Sequence, residues 1–242
     1  RKYINMKKVT RALAAIMLFG TMLYISGCKD PEPIVTPFTV SGNNGGHDYV
    51  DLGLPSGTLW ATCNIGADTP EGYGNYFAWG DTNPKTTYNW STYQYCMGDE
   101  PLFTKYCTVS MYGYNGLVDS LKVLQPIDDA ALVKWGTGWH IPTMEQWKEL
   151  RENTTGTWTV QNGVNGFLFT ASNGGRLFLP AAGYRKDDNL MGVGTDGIYW
   201  SSSLYVGIPD GAYDFGFTAS NKFVDLYYRY QGQSVRPVFS AK

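Results

Sequence analysis

The spacing of apolar residues changes once along the chain. Between Asp128 and Asn153 they recur at helical intervals, and on either side they come in short runs broken by Gly, Asn and Asp. The segment "DDAALVKW" (128–135) sets an aspartate N-cap ahead of good helix formers, and Gly136 ends it. The segment "PTMEQWKELREN" (142–153) carries a stronger signal. Thr143 and Gln146 fit a capping box, and Trp147 and Leu150 fall three apart on one face. After Asn153 the helical period does not return. "GFLFTA", "GRLFLPAAGY", "GIYWSSS", "YDFGFTA", "KFVDLYYRYQ" and "SVRPVFS" read as successive short strands.

Ahead of the helices, "HDYVDLGLPSGTLWATCNIGA" reads as strand, turn, strand, with Pro55-Ser56-Gly57 as the turn. "EGYGNYFAWGD" (71–81) adds a glycine-punctuated aromatic strand. From Thr82 to Gly116 the chain is polar, rich in tyrosine and irregular, which predicts a long insert lying on the surface. Two helices with strands before and after predict one α+β domain over residues 47–242.

The N-terminus follows a different pattern. Lys7, Lys8 and Arg11 form a positive start after Met6, and "ALAAIMLFGTMLYI" (12–25) is a short apolar run. This is the layout of a secretory signal, predicted over residues 1–27 with Met6 as the start. The run is short for a membrane span. Ile25-Ser26-Gly27-Cys28 resembles the lipobox of bacterial lipoproteins, which implies diacylation of Cys28 and a membrane held through that lipid. Lys29-Asp30-Pro31-Glu32 resembles the surface-export signal of Bacteroidetes lipoproteins, implying an outer-membrane protein exposed at the cell surface. Residues 28–46, with Pro31, Pro33, Pro37 and a Gly/Asn cluster, read as a flexible linker.

Composition narrows the function. The chain of 242 residues is 15% aromatic and only 17% charged, with 29 glycines, which suits a loop-rich sheet protein better than a helical bundle. Five of its 19 basic residues lie in residues 1–27, which carry no acid, so 14 basic against 21 acidic residues remain beyond them, near −7. An acidic domain of this kind disfavours nucleic acid as a partner. Past Cys28 three cysteines remain. Cys96 and Cys107 are close enough to staple one excursion as a disulfide, and Cys63, on an apolar run, reads as a small buried hydrophobe. His47 and His140 lie far apart and neither neighbours a cysteine, so no metal-ligand spacing appears.

Six blocks in order, "YVDLGLPSGTLWATCNIGA", "GYGNYFAWGD", "WGTGWHIPTMEQWKEL", "RLFLPAAGYR", "GIYWSSS" and "GQSVRPV", resemble the Fibrobacter succinogenes major paralogous domain over about residues 48–240. That family is related to formylglycine-generating-enzyme-like (sulfatase-modifying-factor-like) domains. The resemblance implies a C-type-lectin-like fold, with two helices flanking a small twisted antiparallel sheet and long loops gathered on one side. Function does not follow from such a fold. The enzymatic relatives use a cysteine pair near the C-terminal end, and this chain has no cysteine after Cys107, with "SVRPV" standing in that region. The calcium-binding motifs of true C-type lectins are also missing, for the nearest strings are Gln125-Pro126-Ile127 and Ile208-Pro209-Asp210. Calcium held by loop carbonyls and Asp side chains stays open.

Other chemistries find little footing. Asp187 and Asp188 sit in a polar turn, and Ser201–Ser203 follow Trp200 without a nucleophile elbow. His140, immediately before the capped helix, reads as a group that fixes the strand-to-helix turn. What stands out is the C-terminal stretch from Tyr199, rich in Tyr, Ser, Gly and Asn, residue types that make rigid aromatic and adaptable polar contacts. Tyr205, Tyr213, Asp214, Tyr227, Tyr228 and Tyr230 are the expected ligand contacts. Tyr199, Trp200, Phe215, Phe217 and Val235 are expected in the core. The expectation is a non-catalytic binding or adhesion module for a glycan or a protein, with no cofactor. Three alternatives stand beside it: a ligand-display protein diversified by a retroelement, a pilus-associated adhesin subunit, and an enzyme with an unrecognised site.

Overall fold

The longer helix forms where its cap is written. In the computed structural model α2 (Met144–Asn153) starts at Thr143, whose Oγ1 accepts from the Gln146 N–H while the Gln146 side chain accepts from Thr143 N. Its buried face carries Met144, Trp147 and Leu150. The shorter helix, α1 (Ala130–Trp135), is capped by Asp129 rather than Asp128, and Gly136 leaves it with φ +62°. Asp129 also accepts from the Ile141 N–H, so one carboxylate fastens the start of α1 to the approach to α2.

The structure describes residues 39–98, 101–136 and 138–240, all within one compact unit, Pro37–Lys242. The expected signal segment 1–27, Cys28 and most of the expected linker lie outside the described residues. The fold is α+β and rich in sheet, with two α-helices and fourteen strands among the described residues. The strands are β1 (Gly42–Asn44), β2 (His47–Asp51), β3 (Thr58–Ala61), β4 (Tyr76–Phe77), β5 (Thr154–Gln161), β6 (Val164–Ala171) and β7 (Arg176–Pro180). They continue as β8 (Tyr184–Lys186), β9 (Asn189–Met191), β10 (Gly197–Leu204), β11 (Gly211–Phe217), β12 (Lys222–Tyr228), β13 (Gln233–Ser234) and β14 (Val238–Ser240).

They form sheets in the orders β1-β2-β3-β14, β12-β11-β10-β13-β4 and β5-β6-β7, with β8-β9 as a separate ribbon. Pairings are antiparallel except between β10 and β13. The C-terminal strand β14 lies against β3, so the two ends of the domain share one sheet.

Two expectations about the frame change. Residues 42–44, inside the stretch read as linker, are strand: β1 and β2 meet through Gly45 and Gly46, both at positive φ, the two-residue turn that hairpins favour. The stretch "SVRPVFS" is not one strand but two short ones, broken where the Arg236 side chain turns inward to Asn64 Oδ1 and the Ala61 and Thr62 carbonyls. β5 is not among the expected strands, although its "TTGTWTVQ" holds the strand formers Thr, Trp and Val.

The principal core joins α2 to three sheets. Trp147 stacks on Phe215 at 4.8 Å and packs on Trp60 and Tyr199, with Phe167, Phe169, Phe217 and Val238 around them. A second core holds Trp79, Trp200, Ala130, Ala131 and Val235. The expected core residues Tyr199, Trp200, Phe215, Phe217 and Val235 are all buried, as are Trp139 and Trp147.

The insert 82–116 has little regular structure, yet it does not simply lie on the surface. Tyr88, Tyr93, Phe103 and Cys107 are buried and build a third apolar cluster with Tyr76 and Tyr230, while the buried Tyr106 joins the second core.

Candidate functional site

Strands alternate their side chains between faces, and this divides the expected contact residues. Tyr213 pairs with Leu226 and Ala212 with Tyr227, so Tyr213 and Tyr227 point to opposite faces of one sheet. Tyr213 packs against the principal core and meets Tyr205 edge-on at 5.3 Å. Tyr227 packs against the second core and lies 5.7 Å from Tyr184, with burial pushing its hydroxyl up to about 12. Tyr228 is 48% exposed and stacks on Tyr230 at 5.7 Å.

Two expected contacts are overturned. Tyr230 is buried, held between Tyr228 and Trp90, because the insert folds over it. Asp214 is fully buried in the middle of the sheet, opposite Trp200 and Asp225, where its carboxyl reaches Gln233 and not solvent. The accessible remainder is Tyr205, Tyr213, Tyr227 and Tyr228. The loop between β10 and β11 adds exposed Val206 and Ile208 beside Tyr205. Each of the four rings is braced by another ring, so little rotamer freedom is left to lose on contact.

That loop is positioned by a residue the sequence pattern did not single out. Arg229, fully buried, donates from Nε to Tyr93 Oη at 2.9 Å and from its Nη atoms to the carbonyls of Tyr106, Pro209 and Lys105. Its guanidinium lies 4.3 Å from the Phe103 ring centroid and 5.0 Å from that of Trp79. One cation thus ties the insert, the β10–β11 loop and the end of β12 together. The only hint was its place within "YYRYQ", among aromatics.

Beside it, Asp128 accepts from the hydroxyls of Tyr95 and Tyr106 and pairs with Lys105 Nζ at 2.6 Å. Burial alone would raise the Asp128 pKa, but the bonds from Lys105, Tyr106 and Tyr95 hold it below the usual carboxylate value.

A concavity of mixed chemistry lies elsewhere. A space of about 440 Å³ is lined by His47, Asp48, Thr62, Cys63, Asp68 and Trp135. The His47 ring stacks flat on Trp135 at 3.7 Å, and burial lowers its pKa below 6.5 against the opposing pull of Asp48. Asp48 instead accepts from Asn43 Nδ2 at 2.8 Å, and the Cys63 thiol lies 3.6 Å from Thr62 Oγ1. Cys63 is therefore half-buried at a cavity wall rather than a core hydrophobe. Among the described residues no hydrogen bond joins imidazole, thiol and carboxylate into a relay.

The Cys96–Cys107 disulfide is not formed. Cys96 pairs its backbone with Phe103 and donates its thiol to Gly98 O at 3.5 Å, while the buried Cys107 thiol donates to Val109 O at 3.2 Å. His140 does fix its turn: Nδ1 bonds Gly138 O at 3.1 Å and Nε2 meets Gln146 Nε2 at 3.4 Å.

Among the described residues, no three His, Cys, Asp or Glu side chains converge as a metal site, and no helix is long and apolar enough to cross a membrane. No family model, no curated protein and no solved structure matches the chain.

Proposed function

We propose that this protein is a surface-exposed outer-membrane lipoprotein, anchored through Cys28, whose domain is a non-catalytic binding module on a C-type-lectin-like scaffold. The ligand is a glycan or a protein, held by Tyr205, Tyr213 and Tyr228; Tyr227, on the opposite face of the sheet from Tyr213, is not among its contacts. The observation that carries this reading is the bracing of those rings at the ends of β10, β11 and β12. Tyrosines fixed in this way give contact area at low entropic loss, which favours binding.

The ionisable groups buried beneath the rings support the same reading. Arg229 is consumed in holding the insert and Asp214 in holding Gln233, so neither faces a substrate. Screening the purified chain against glycan and protein arrays tests the proposal. Tyr213→Ala and Tyr228→Ala are each expected to weaken a discovered ligand about tenfold or more, as aromatic anchors do. Unchanged affinity in both folded variants overturns the placement of the surface. Membrane fractionation of Cys28→Ser tests the anchor, which predicts release into the soluble fraction.

A further inference from the structure

Lys222 opens β12, and its ammonium lies over the rings of Phe167 and Phe169 on β6, 5.1 Å and 5.7 Å from their centroids. The notch it fills exists because β5 has Gly156 there. A Cβ at that position would stand 2.2 Å from the Phe167 ring and 2.8 Å from Lys222 Nζ. Next to the notch, Trp158 pairs across the strands with Phe167 and is half-buried, turned edge-on to Phe217 at 6.3 Å. Gly156, Trp158 and Lys222, with Ser220 and Asn221 of the β11–β12 turn, line a concavity of about 480 Å³.

The charge in this concavity is uncompensated. Among the described residues Lys222 Nζ forms no ion pair and no hydrogen bond. Arg151 adds a second positive charge within range, and burial followed by that repulsion lowers the lysine pKa below 10.5. Contact with two aromatic rings offsets part of the lost hydration. A lysine whose sole task was to cover the core edge would lay its stem on the rings and carry the amine out to water. Here the amine stays over the rings instead, next to a half-exposed indole. Asn221 Oδ1 is taken by the Lys222 N–H at 2.9 Å, which leaves the Asn221 amide Nδ2 as a second donor.

We propose that this concavity binds an acidic residue of a polysaccharide, its carboxylate on Lys222 Nζ and Asn221 Nδ2 and the apolar face of its ring on Trp158. A cation set beside an indole, with Ser220 and Asn221 as neighbouring polar groups, matches the three parts of a uronic acid: carboxylate, C–H face and hydroxyls. The site is separate from the tyrosines of β10–β12 and stands or falls without them.

Titration calorimetry on the purified chain tests it, using oligogalacturonate, the neutral galactose oligomer of the same length, acetate and hexaglutamate. Oligogalacturonate is expected to saturate and to bind at least about tenfold more tightly than the other three, the increment of one charge-assisted hydrogen bond. Lys222→Gln should weaken it about tenfold, while Lys222→Arg retains most of the affinity and Trp158→Ala abolishes binding. Tyr213→Ala and Tyr228→Ala should leave it unchanged, which separates this site from the proposed tyrosine surface. Asn221→Asp, at an exposed turn position, puts a negative charge where the carboxylate is to bind; it too should weaken binding about tenfold, and it serves as the test if the Lys222 variant fails to fold. The proposal is overturned if oligogalacturonate does not saturate, if the neutral oligomer, acetate or hexaglutamate binds equally well, or if folded Lys222→Gln and Asn221→Asp bind like the parent.

Discussion

Gln233 on β13 reaches over β10 and donates Nε2 to Asp214 Oδ2 on β11 at 3.1 Å, while Asp214 Oδ1 and Gln233 Oε1, both buried, have no partner. Both orphans are acceptors, so a proton on the carboxyl supplies the missing donor. A neutral Asp214 carries a donor at its carboxyl, where two buried acceptors otherwise stand without one. An ionised Asp214 has no proton to donate and leaves two acceptors unpaired in the sheet interior, a costly arrangement. Burial pushes this carboxyl from 3.8 up to about 8, in agreement with the neutral form at pH 7.

A pH dependence of stability follows. The unfolded chain releases the Asp214 proton near 3.8 and the folded chain only near about 8. Below the lower value both states are protonated and the full stability is present. Between the two the folded state alone keeps the proton, so stability falls as pH rises, by about 1.4 kcal/mol per unit. Asp214→Asn keeps a donor for Gln233 and has nothing to titrate. Urea unfolding of parent and variant should therefore diverge from pH 4 to pH 8 in favour of the variant, by up to about 4 kcal/mol at pH 7. A constant difference across that range would show that Asp214 is ionised in the fold.

Arg229→Met should be among the most damaging single changes in the domain. It removes donors from the Tyr93 hydroxyl and from the carbonyls of Lys105, Tyr106 and Pro209, all in or near the third apolar cluster. Several buried acceptors then lose their partners at once, and a loss of about 3–5 kcal/mol is expected from urea midpoints. Because the same cation holds the insert, limited proteolysis should cut within residues 82–116 in the variant at urea concentrations where the parent resists. Cleavage elsewhere first would separate Arg229 from the insert.

The elements that local chemistry writes were legible in the sequence, and those that distant contacts write were not. Thr143 and Gln146 sit three apart and announced α2 directly. The core aromatics Tyr199, Trp200, Phe215 and Phe217 lay in runs already read as strands. Tyrosine defeats that logic, since its ring accepts burial and its hydroxyl accepts exposure. Tyr93, Tyr95 and Tyr106 of the insert turned inward because Arg229 and Asp128 gave their rings and hydroxyls partners far away in sequence, and Tyr230 because Trp90 of the insert packs on it. Asp214 was misplaced for the same reason, as its partner Gln233 lies nineteen residues on, across an intervening strand.

Tyr228 and Tyr230, stacked on each other, should separate binding from stability. Tyr230 is 7% exposed and sits in the third cluster against Trp90, so Tyr230→Ala leaves a cavity and should lower stability by about 2–4 kcal/mol. Tyr228 is 48% exposed, and Tyr228→Ala should shift stability by about 1 kcal/mol or less while lowering affinity for a ligand of this surface. Thermal unfolding and binding measured on the two variants together decide the matter. Equal destabilisation by both would place Tyr228 in the core.

Thiol labelling checks the cysteine arrangement. Cys63 is half-buried at the wall of the His47–Trp135 cavity, and Cys96 is half-buried in the insert. Cys107 is 0% exposed, and burial pushes its thiol pKa up, which withholds the thiolate that a maleimide or iodoacetamide needs. At pH 7.5 the native chain should therefore label first at Cys63 and Cys96. Cys107 should react only through opening of the insert, at a rate that climbs with urea. Arg229→Met, by loosening the insert, should expose Cys107 at lower urea than the parent requires. Mass spectrometry of unreduced tryptic fragments should find no peptides joined through residues 96 and 107. A joined pair, or a Cys107 that labels as fast as Cys63 in the absence of urea, would mean that the insert is held by a covalent staple or packs more loosely than its buried tyrosines require.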